Sequence, residues 1–346
     1  MVRVLVLHPT SNYNIGDLLT YRGTQEILRT VDPDVEFLMF DALRAEKELD
    51  TYMSQFYWGD VDILVLAGSP WLWFGLEHSL KAQVLLKAIL RFPQAKKIAL
   101  GVGSCFPLYA VDSSRLVKFD SFDQVYSELV LFPQTINYIS TLFGGFDLVV
   151  TRDAMAQAVF SKLGIQSYLS KDTSRWALQT LRRRGFISSP LCIFQDPRYS
   201  LSKNSLPEGY LNEFLRIQVE YAKTKGADVY SVSAEDTYSA VTLGLENARY
   251  VSDLDWMALH MFGRPEVLSG RLHMGLLAGM MDAVSVRILP LDSRILTVIP
   301  DKNFWPSNSR ITVQFPLGYS YEVPVVPSSQ RLNMTQLIEK VVEVLH

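Results

Sequence analysis

Residues 61–66 read VDILVL and residues 97–102 read KIALGV, and the fold class follows from these two runs and the segment between them. Each run is short, apolar and aliphatic, which is typical of a buried strand. Between them, Leu76–Leu90 carries apolar residues at helical spacing. Two strands joined by a helix need a crossover connection, which makes them parallel. The sequence therefore predicts an α/β protein with a parallel sheet that helices cover on both faces.

The same alternation of strands and helices continues on both sides of this segment. Towards the N-terminus, strands are predicted at Val2–Leu7 and Val35–Phe40, with a helix over 17–30 between them. Towards the C-terminus, the alternation breaks at the basic and proline-containing residues 182–190 and restarts over 191–289. Two successive blocks of this kind predict two Rossmann-like domains that face each other across a cleft.

The domain boundaries follow from this break. A chain of 346 residues exceeds the roughly 250–300 residues at which one hydrophobic core stops growing. We expect an N-terminal domain over residues 1–180 and a C-terminal domain over 190–330. Residues 331–346 contain an amphipathic helix that is predicted to pack back across the boundary. The segment 311–326 is strand-like and proline-rich, and is predicted to form a hairpin appendage.

Composition excludes several classes of protein. Apolar residues make up 48% and charged residues 20% of the chain, which excludes a disordered or fibrous protein. The net charge of −3 argues against a dedicated nucleic-acid-binding protein. Only two cysteines occur, so a disulfide scaffold is excluded and a reducing compartment is favoured. With no apolar stretch long enough to span a membrane, we expect a cytoplasmic protein, and peripheral contact with the inner face of the membrane stays open.

Ligands of open α/β sheets bind beyond the carboxyl ends of the strands, so the residues there are the candidates for function. Gly101 and Gly103 end one strand and are followed by Ser104. Glycines allow backbone N–H groups to approach an anion closely, although a tight turn explains them equally well. Asp17, after Asn14 and Gly16, could cap the next helix, orient a substrate hydroxyl, or do both.

The segment Gly270-Arg271-Leu272-His273 is the most informative part of the sequence. Arg271 precedes a predicted helix, where the helix dipole disfavours a cation unless an anion is also bound. His273 could donate or accept a proton. Arg152 raises the same possibility of anion binding in the N-terminal half. For Arg271 the alternative is a surface ion pair beside a buried histidine. For Arg152 it is a salt bridge with Asp153 or with a neighbouring carboxylate.

Aromatic residues and metal ligands complete the survey. Trp71 and Trp73 follow a strand, where their rings could stack against a sugar or belong to the core. His8 ends the first strand and could line the cleft. The sequence contains no HExxH motif, no paired histidines at ligand spacing and no phosphate-binding loop, so no metal site is predicted.

Taken in order, these segments resemble the polysaccharide pyruvyl transferase family. The resemblance spans roughly residues 2–291. It rests on Asn14-x-Gly16-Asp17, Gly68-Ser69-Pro70 (where many members carry three glycines), Gly101-x-Gly103, Thr151-Arg152-Asp153, Asp172 and Gly270-Arg271-Leu272-His273. This chain departs from the family pattern at Ser69-Pro70 and at Arg294, where members often have a lysine.

The resemblance implies a two-domain architecture of the glycosyltransferase-B type. It also implies transfer of the enolpyruvyl carbons of phosphoenolpyruvate to two hydroxyls of a glycan or lipid-linked sugar, which forms a pyruvate ketal and releases phosphate. Phosphoenolpyruvate is then a donor substrate, and no cofactor or metal is expected. The residues implied are catalytic His273, Asp17 and Asp172, donor-binding Arg152, Arg271, Gly101, Gly103 and Ser104, and acceptor-binding Asn14, Trp71 and Trp73.

Two alternatives stay open at this stage. A glycosyltransferase of the same architecture that uses a nucleotide sugar would need a carboxylate for the ribose, and Glu266 is the nearest candidate. A protein that keeps the fold without turnover is the other alternative.

Overall fold

The computed structural model confirms an α/β protein with two parallel sheets. The residues that it describes are 2–9, 15–44, 47–55, 60–106, 129–130, 132–178, 181, 187–200, 206–292, 294, 309–318 and 331–345.

The N-terminal sheet is parallel throughout, with the order β2-β1-β3-β5-β6-β7 and β4 paired to β5. Its strands are β1 (Arg3–His8), β2 (Glu36–Asp41), β3 (Ile63–Ala67), β4 (Pro70–Leu72), β5 (Lys96–Ser104), β6 (Leu148–Thr151) and β7 (Tyr168–Leu169). The accompanying helices are α1 (Ile15–Val31), α2 (Lys47–Ser54), α3 (Leu80–Arg91), α4 (Pro133–Phe143), α5 (Ala154–Lys162) and α6 (Ser174–Leu178).

The C-terminal sheet is also parallel, with the order β10-β9-β8-β11-β12-β13. Its strands are β8 (Leu191–Ile193), β9 (Asp228–Ser231), β10 (Arg249–Tyr250), β11 (Glu266–Ser269), β12 (Ser285–Ile288) and β13 (Arg310–Val313). The helices of this half are α7 (Glu208–Lys225), α8 (Ala234–Thr242), α9 (Leu254–Met261) and α10 (Leu272–Met280), and α11 (Met334–Leu345) follows.

Two predictions about local structure need correction. The predicted hairpin over 311–326 is wrong at its start, because β13 pairs in parallel with β12 and forms the edge of the C-terminal sheet. The predicted helix over 76–90 begins as a 3₁₀ turn (Leu76–His78), and α3 starts only after Ser79, whose side chain accepts a hydrogen bond from Ala82 N. The basic run 182–184 lies outside the described residues.

Strand order places the cleft. Each sheet reverses its direction of growth once, between β1 and β3 in the N-terminal sheet and between β8 and β11 in the C-terminal one. Loops diverge at such a switch point and leave a crevice at the carboxyl ends of the strands, where ligands bind in open α/β sheets. The segments that follow β3, β5, β6 and β11 are therefore the ones that form the site.

Helices α1 and α11 connect distant parts of the chain. Arg22 of α1 forms an ion pair with Asp255 of α9, so α1 contacts both halves of the protein. Leu337 and Val341 of α11 are buried with residues of β1, so the last helix packs on the N-terminal sheet. Among the described residues, no helix combines the length and apolar character needed to span a bilayer.

Candidate functional site

Three charged or polar side chains from both halves of the protein meet at the cleft. Arg152 follows β6, Asp172 follows β7, and His273 lies in the first turn of α10. Arg152 Nη1 donates a hydrogen bond to Asp172 Oδ2 at 2.9 Å and lies 3.1 Å from His273 Nε2. His273 Nε2 is 3.3 Å from the same Asp172 oxygen. All three side chains are buried, so the cluster forms a polar contact between the two domains.

Two glycines make this close approach feasible. A Cβ on Gly103 would lie 2.3 Å from Arg152 Nε, so only glycine lets the guanidinium lie against β5. A Cβ on Gly16 would lie 2.9 Å from His273 Nδ1, so the first turn of α1 can touch the imidazole only because residue 16 lacks a side chain. Both contacts are sterically closed to any other residue unless the neighbour moves.

Asp172 is held in its charged form. Burial would raise the pKa of this carboxyl, but the positive charge of Arg152 and the hydrogen bond with His273 outweigh burial and hold the pKa well below its usual range. The second carboxylate oxygen accepts a hydrogen bond from Ser174 N at 2.9 Å. A carboxylate with so low a pKa is a weak proton acceptor. The geometry therefore favours Asp172 as the partner that orients His273 and Arg152.

The arginines of the cleft retain unused hydrogen-bond donors. Arg152 Nε and Nη2 are buried, and neither has a hydrogen-bond partner among the described residues. Arg271 Nη2 donates to Asp236 Oδ2 at 2.5 Å, while the buried Nε of Arg271 also lacks a partner in the part of the chain that the structure describes. An unsatisfied buried donor costs about 1–3 kcal/mol, and more on a charged group. Donors left open on two cleft arginines indicate a site for an anion.

A small cavity lies beside the cluster on the side of the C-terminal sheet. It has a volume of about 50 Å³. Its lining includes Gln195, Gly270, Arg271, His273 and Arg294.

Arg294, where family members often have a lysine, is engaged within the protein. It donates to both oxygens of Asp292, from Nε at 2.7 Å and from Nη2 at 2.5 Å. This two-pronged pairing is specific to a guanidinium, so Arg294 does not simply replace a lysine.

The glycine segment predicted to bind the donor has a supporting function in the structure. Gly103 N donates to Ser69 O at 3.1 Å, so its N–H is already used. Ser104 donates to Asp153 through both its backbone N and its hydroxyl, at 2.8 and 2.9 Å. Gly101 has a φ of 70°, and a Cβ there would lie 3.0 Å from Thr173. The prediction that Gly103 and Ser104 present donors to an anion is corrected accordingly, and the role of Gly101 stays a prediction.

Asp153 is not the ionic partner of Arg152. Its side chain accepts a hydrogen bond from Ala156 N at 2.7 Å and so caps α5. The predicted salt bridge of Arg152 is present, with the carboxylate of Asp172 as its partner in place of Asp153. For Arg271 the ion-pair alternative does hold, with Asp236 as its partner.

Trp71 is wrong as an acceptor-binding residue in this arrangement. It lies in β4, which pairs with β5, and its side chain is fully buried in the core, so its ring offers no face to a sugar. Trp73 is partly buried and packs against the same core, and its acceptor role stays a prediction.

Asn14 lies outside the described residues. Asp17 is the third residue of α1, within its first turn, and is therefore not the N-cap.

His8 packs in the core and does not line the cleft. Its side chain is fully buried at the end of β1, with Nε2 3.4 Å from Thr20 Oγ1 and the ring against Tyr21. Burial lowers the pKa of His8 to about 4, so the imidazole is neutral at physiological pH. Within the described parts of the chain, no cluster of three histidine, cysteine or acidic side chains could hold a metal ion.

Sequence reasoning missed Lys81, a buried lysine at the same edge of the N-terminal sheet. Its Nζ donates to Ser69 Oγ at 2.8 Å, and Ser69 itself has a φ of 65°. A signal was present in the sequence, because Lys81 lies on the same helical stripe as Val84, Leu85 and Ala88, which are all buried. A lysine is rarely buried, so its place on the apolar face of this helix is unusual. Interpreting the helix only as amphipathic left that lysine unnoticed.

The fold and the cleft together define the class of protein: two Rossmann-like domains arranged as in the glycosyltransferase-B architecture, with polar residues from both domains at the cleft. Residues 14–283 match the family model of the polysaccharide pyruvyl transferases. The chain therefore belongs to the polysaccharide pyruvyl transferase family, a family of glycan-modifying transferases. No curated protein sequence matches the chain at a significant level.

Similar solved structures come from several organisms. A protein from Listeria monocytogenes assigned as a UDP-N-acetylglucosamine 2-epimerase is 9% identical, with a TM-score of 0.50 over 99% of this chain and 88% of that one. An uncharacterized protein from Klebsiella pneumoniae is 14% identical, with a TM-score of 0.47 over 90% of this chain and 92% of that one. The heptosyltransferase WaaC from E. coli, solved with ADP, is 12% identical, with a TM-score of 0.39 over 99% of each chain. At these identities, the Listeria likeness shows the fold alone.

Proposed function

We propose that this protein transfers the pyruvyl group of phosphoenolpyruvate to two hydroxyls of a glycan, forming a pyruvate ketal. The observation that carries the proposal is the buried cluster of Arg152, Asp172 and His273 across the cleft, in which two guanidinium nitrogens of Arg152 have no partner among the residues that the structure describes. Membership of the family supports the same reaction class. Phosphoenolpyruvate carries a carboxylate and a phosphate, which match the open donors of Arg152 and Arg271.

The reaction balances with one acid and one base. One sugar hydroxyl adds to C2 of the enolpyruvyl group while C3 takes a proton and becomes a methyl group. The bond from C2 to the phosphate oxygen then breaks, and the second hydroxyl adds at C2. Two hydroxyl protons are lost in total: one is balanced by the methyl proton and the other leaves with hydrogen phosphate. The leaving group is already ionised, so the scheme needs no metal ion.

His273 is suited to the proton transfer because both of its protonation states have a partner. When Nε2 carries a proton, it can donate to Asp172, and when Nε2 is bare, it can accept from Arg152 Nη1. Nε2 of His273 therefore has a partner in either state. We assign His273 as the general acid that protonates C3. Asp172 orients the imidazole, and Asp17 is the remaining candidate for accepting a hydroxyl proton.

The structure does not support Glu266 as the ribose-binding carboxylate that transfer from a nucleotide sugar would need. Glu266 is the first residue of β11, at the amino end of the strand, and it forms ion pairs with Lys225 and Arg287. The cleft lies at the opposite, carboxyl ends of the strands. Glu266 is therefore not placed to bind a ribose in the cleft.

The direct test supplies phosphoenolpyruvate labelled with ¹³C at C3 in deuterated water, together with a panel of glycans. Transfer is expected to give a ketal methyl carbon that carries one deuterium and to release one phosphate per ketal. The variant His273→Gln is expected to lose turnover at least a hundredfold, in line with the usual contribution of general acid catalysis of about 10²–10⁴.

His260→Gln is the matched control, because His260 lies on α9 and stacks on Trp256 outside the cavity lining. Its turnover is expected to equal that of the wild type. Equal turnover in His273→Gln and the wild type would remove His273 from the proton transfer. Label that appears only in free pyruvate, whatever glycan is supplied, would contradict transfer to a sugar.

A further inference from the structure

Lys81 occupies a buried position, where a charged lysine destabilises the protein unless an anion pairs with it. Its side chain is 7% exposed, on the core-facing side of α3. Nζ donates to Ser69 Oγ at 2.8 Å and to Pro70 O at 3.4 Å, and both acceptors are neutral. Within the described parts of the chain, no carboxylate lies within ion-pair distance of Nζ, and its third N–H has no partner. Burying an ammonium group without a counter-charge is strongly unfavourable.

The surroundings of Lys81 hold the amine in place without neutralising it. Nζ lies 5.5 Å from the centre of the Trp71 ring and 5.6 Å from that of Trp73. Aromatic faces attract a cation and also exclude water from it. Ser69, which accepts the hydrogen bond, is itself held in the left-handed region, where a non-glycine residue is strained. A strained loop and two indole rings therefore fix this amine at the carboxyl end of β3.

Charges from several elements act on Lys81. Burial lowers its pKa to about 8; Asp17 of α1 and the thiol of Cys105 oppose that change, whereas two arginines reinforce it. These are Arg294, which follows β12, and Arg152, which follows β6. The Lys81 charge in turn lowers the pKa of His8.

Contacts also place these cations together. Ser69, which accepts from Lys81 Nζ, accepts from Gly103 N through its carbonyl oxygen, and the Cβ position of Gly103 lies 2.3 Å from Arg152 Nε. Arg294 lines a cavity with His273, which lies 3.1 Å from Arg152 Nη1. Arg152 and Arg294 are each paired with an aspartate, and Arg152 retains two open donors, but Lys81 has no such partner within ion-pair distance among the described residues. Like charges brought together in a buried place repel one another, and a bound anion would reverse the sign of that interaction. The anion would also supply the acceptor that the third N–H of Lys81 lacks.

We propose that Lys81 belongs to the anion-binding site of the cleft and that its neutral amine takes up a proton from solvent when a phosphoryl or carboxylate group binds between it, Arg152 and Arg294. The identity of that anion as phosphoenolpyruvate rests on the proposed function, but the proton uptake does not. Binding of an anion raises the pKa of the amine, so proton uptake is the thermodynamic counterpart of binding. Affinity for the anion consequently falls, by up to about tenfold per pH unit, once the pH exceeds the pKa of free Lys81.

Calorimetry tests this without any glycan acceptor. Phosphoenolpyruvate is titrated into the full-length protein at about pH 8 in two buffers with different heats of ionisation, and the difference in heat gives the number of protons taken up. A group with a pKa of about 8 is half protonated there, so the wild type is expected to take up as much as about half a proton through Lys81. The uptake through Lys81 is expected to vanish at about pH 6, because the amine is already charged.

Three variants separate a titrating lysine from a structural one. Lys81→Met removes the charge at similar length, and is expected to lower the proton uptake by the share of Lys81 and to weaken binding. Lys81→Arg keeps a permanent charge, so it is expected to bind the anion. Because a guanidinium is already protonated, this variant is expected to lose as much proton uptake as Lys81→Met. Lys87→Met is the matched control on the same helix, since Lys87 pairs with Asp50 at the surface, and it is expected to behave as the wild type. Thermal unfolding confirms that each variant is folded.

The outcomes distinguish this inference from the proposed function. Binding of phosphoenolpyruvate with equal proton uptake in the wild type, Lys81→Met and Lys81→Arg would overturn the inference and leave the proposed function intact. If phosphoenolpyruvate gives no heat, inorganic phosphate is the second probe. Phosphate binding with proton uptake that Lys81→Met loses would support the Lys81 site and count against phosphoenolpyruvate as its ligand. No binding of either anion would overturn both.

Discussion

Arg152 Nη1 lies 3.1 Å from His273 Nε2, although the two residues are 121 positions apart and belong to different domains. At this distance the Arg152 guanidinium and the His273 imidazole form one hydrogen-bonded unit with Asp172. The relative position of the two domains therefore sets the geometry of this unit. Changes that move either side chain by a few tenths of an ångström are expected to alter function before they alter the fold.

Gly103→Ala tests the steric basis of that contact. The new Cβ would lie 2.3 Å from Arg152 Nε and 3.0 Å from Cζ, so the guanidinium must move away from Asp172. We expect a loss of stability of about 1–3 kcal/mol and at least tenfold weaker binding of phosphoenolpyruvate. Gly145→Ala is the control, since no atom of the described residues lies within 4 Å of its Cβ position. Calorimetry and thermal unfolding measure the two effects, and unchanged binding in Gly103→Ala would contradict the role of Arg152.

Asp172→Asn tests the electrostatics of the cluster through pH. The pKa of Asp172 in the folded protein lies below that of the unfolded chain, about 3.9, so its stabilising contribution is complete above that value and is lost as the pH falls. We expect Asp172→Asn to cost about 3–5 kcal/mol at neutral pH, because it leaves Arg152 buried without a counter-charge. The difference from the wild type is expected to shrink below about pH 4.

Denaturant unfolding between about pH 3 and pH 7 measures this dependence. Asp255→Asn is the control, because Asp255 forms a half-exposed ion pair with Arg22, and such pairs contribute about 0–1 kcal/mol. A stability difference for Asp172→Asn that does not change with pH would show that Asp172 is not the charged partner of Arg152.

Arg271→Lys tests the open donor of the second arginine. A lysine can keep the ion pair with Asp236 but cannot replace the buried Nε of Arg271. We expect about tenfold weaker binding of phosphoenolpyruvate, the equivalent of one charge-assisted hydrogen bond, with a nearly unchanged unfolding temperature. Arg287→Lys is the control, as Arg287 pairs with Glu266 away from the cleft. Equal losses of affinity in both variants would point to a general effect of charge.

The sheets could be predicted from the sequence because their signal is local. The runs 61–66 and 97–102 are continuously apolar, and burial on both faces of a parallel strand demands that composition wherever the strand lies. The edge strand β13 has partly exposed residues and a weak pattern, so its place in the sheet depends on pairing with β12, which lies more than twenty residues earlier in the chain. Pairing over such distances leaves no local trace.

The sequence predicted which residues lie at the site better than it predicted what each of them does there. Arg152, Asp172 and His273 were identified from their positions after strands, and the structure brings all three together. The direction in which each donor points depends on tertiary packing. Gly103 shows this, because the sequence predicted an open backbone N–H and the structure uses that N–H for Ser69 O. Trp71 was misplaced for the same reason, since pairing of β4 with β5 draws it into the core.

The measurement that tests the central claim most directly is a calorimetric titration of the purified protein with phosphoenolpyruvate, beside sugar nucleotides such as UDP-N-acetylglucosamine. The account predicts saturable binding of phosphoenolpyruvate in the micromolar to millimolar range that weakens in Arg271→Ala, and no comparable binding of the sugar nucleotide. Binding of the sugar nucleotide with no response to phosphoenolpyruvate would contradict a pyruvyl-donor site at Arg152, Arg271 and His273.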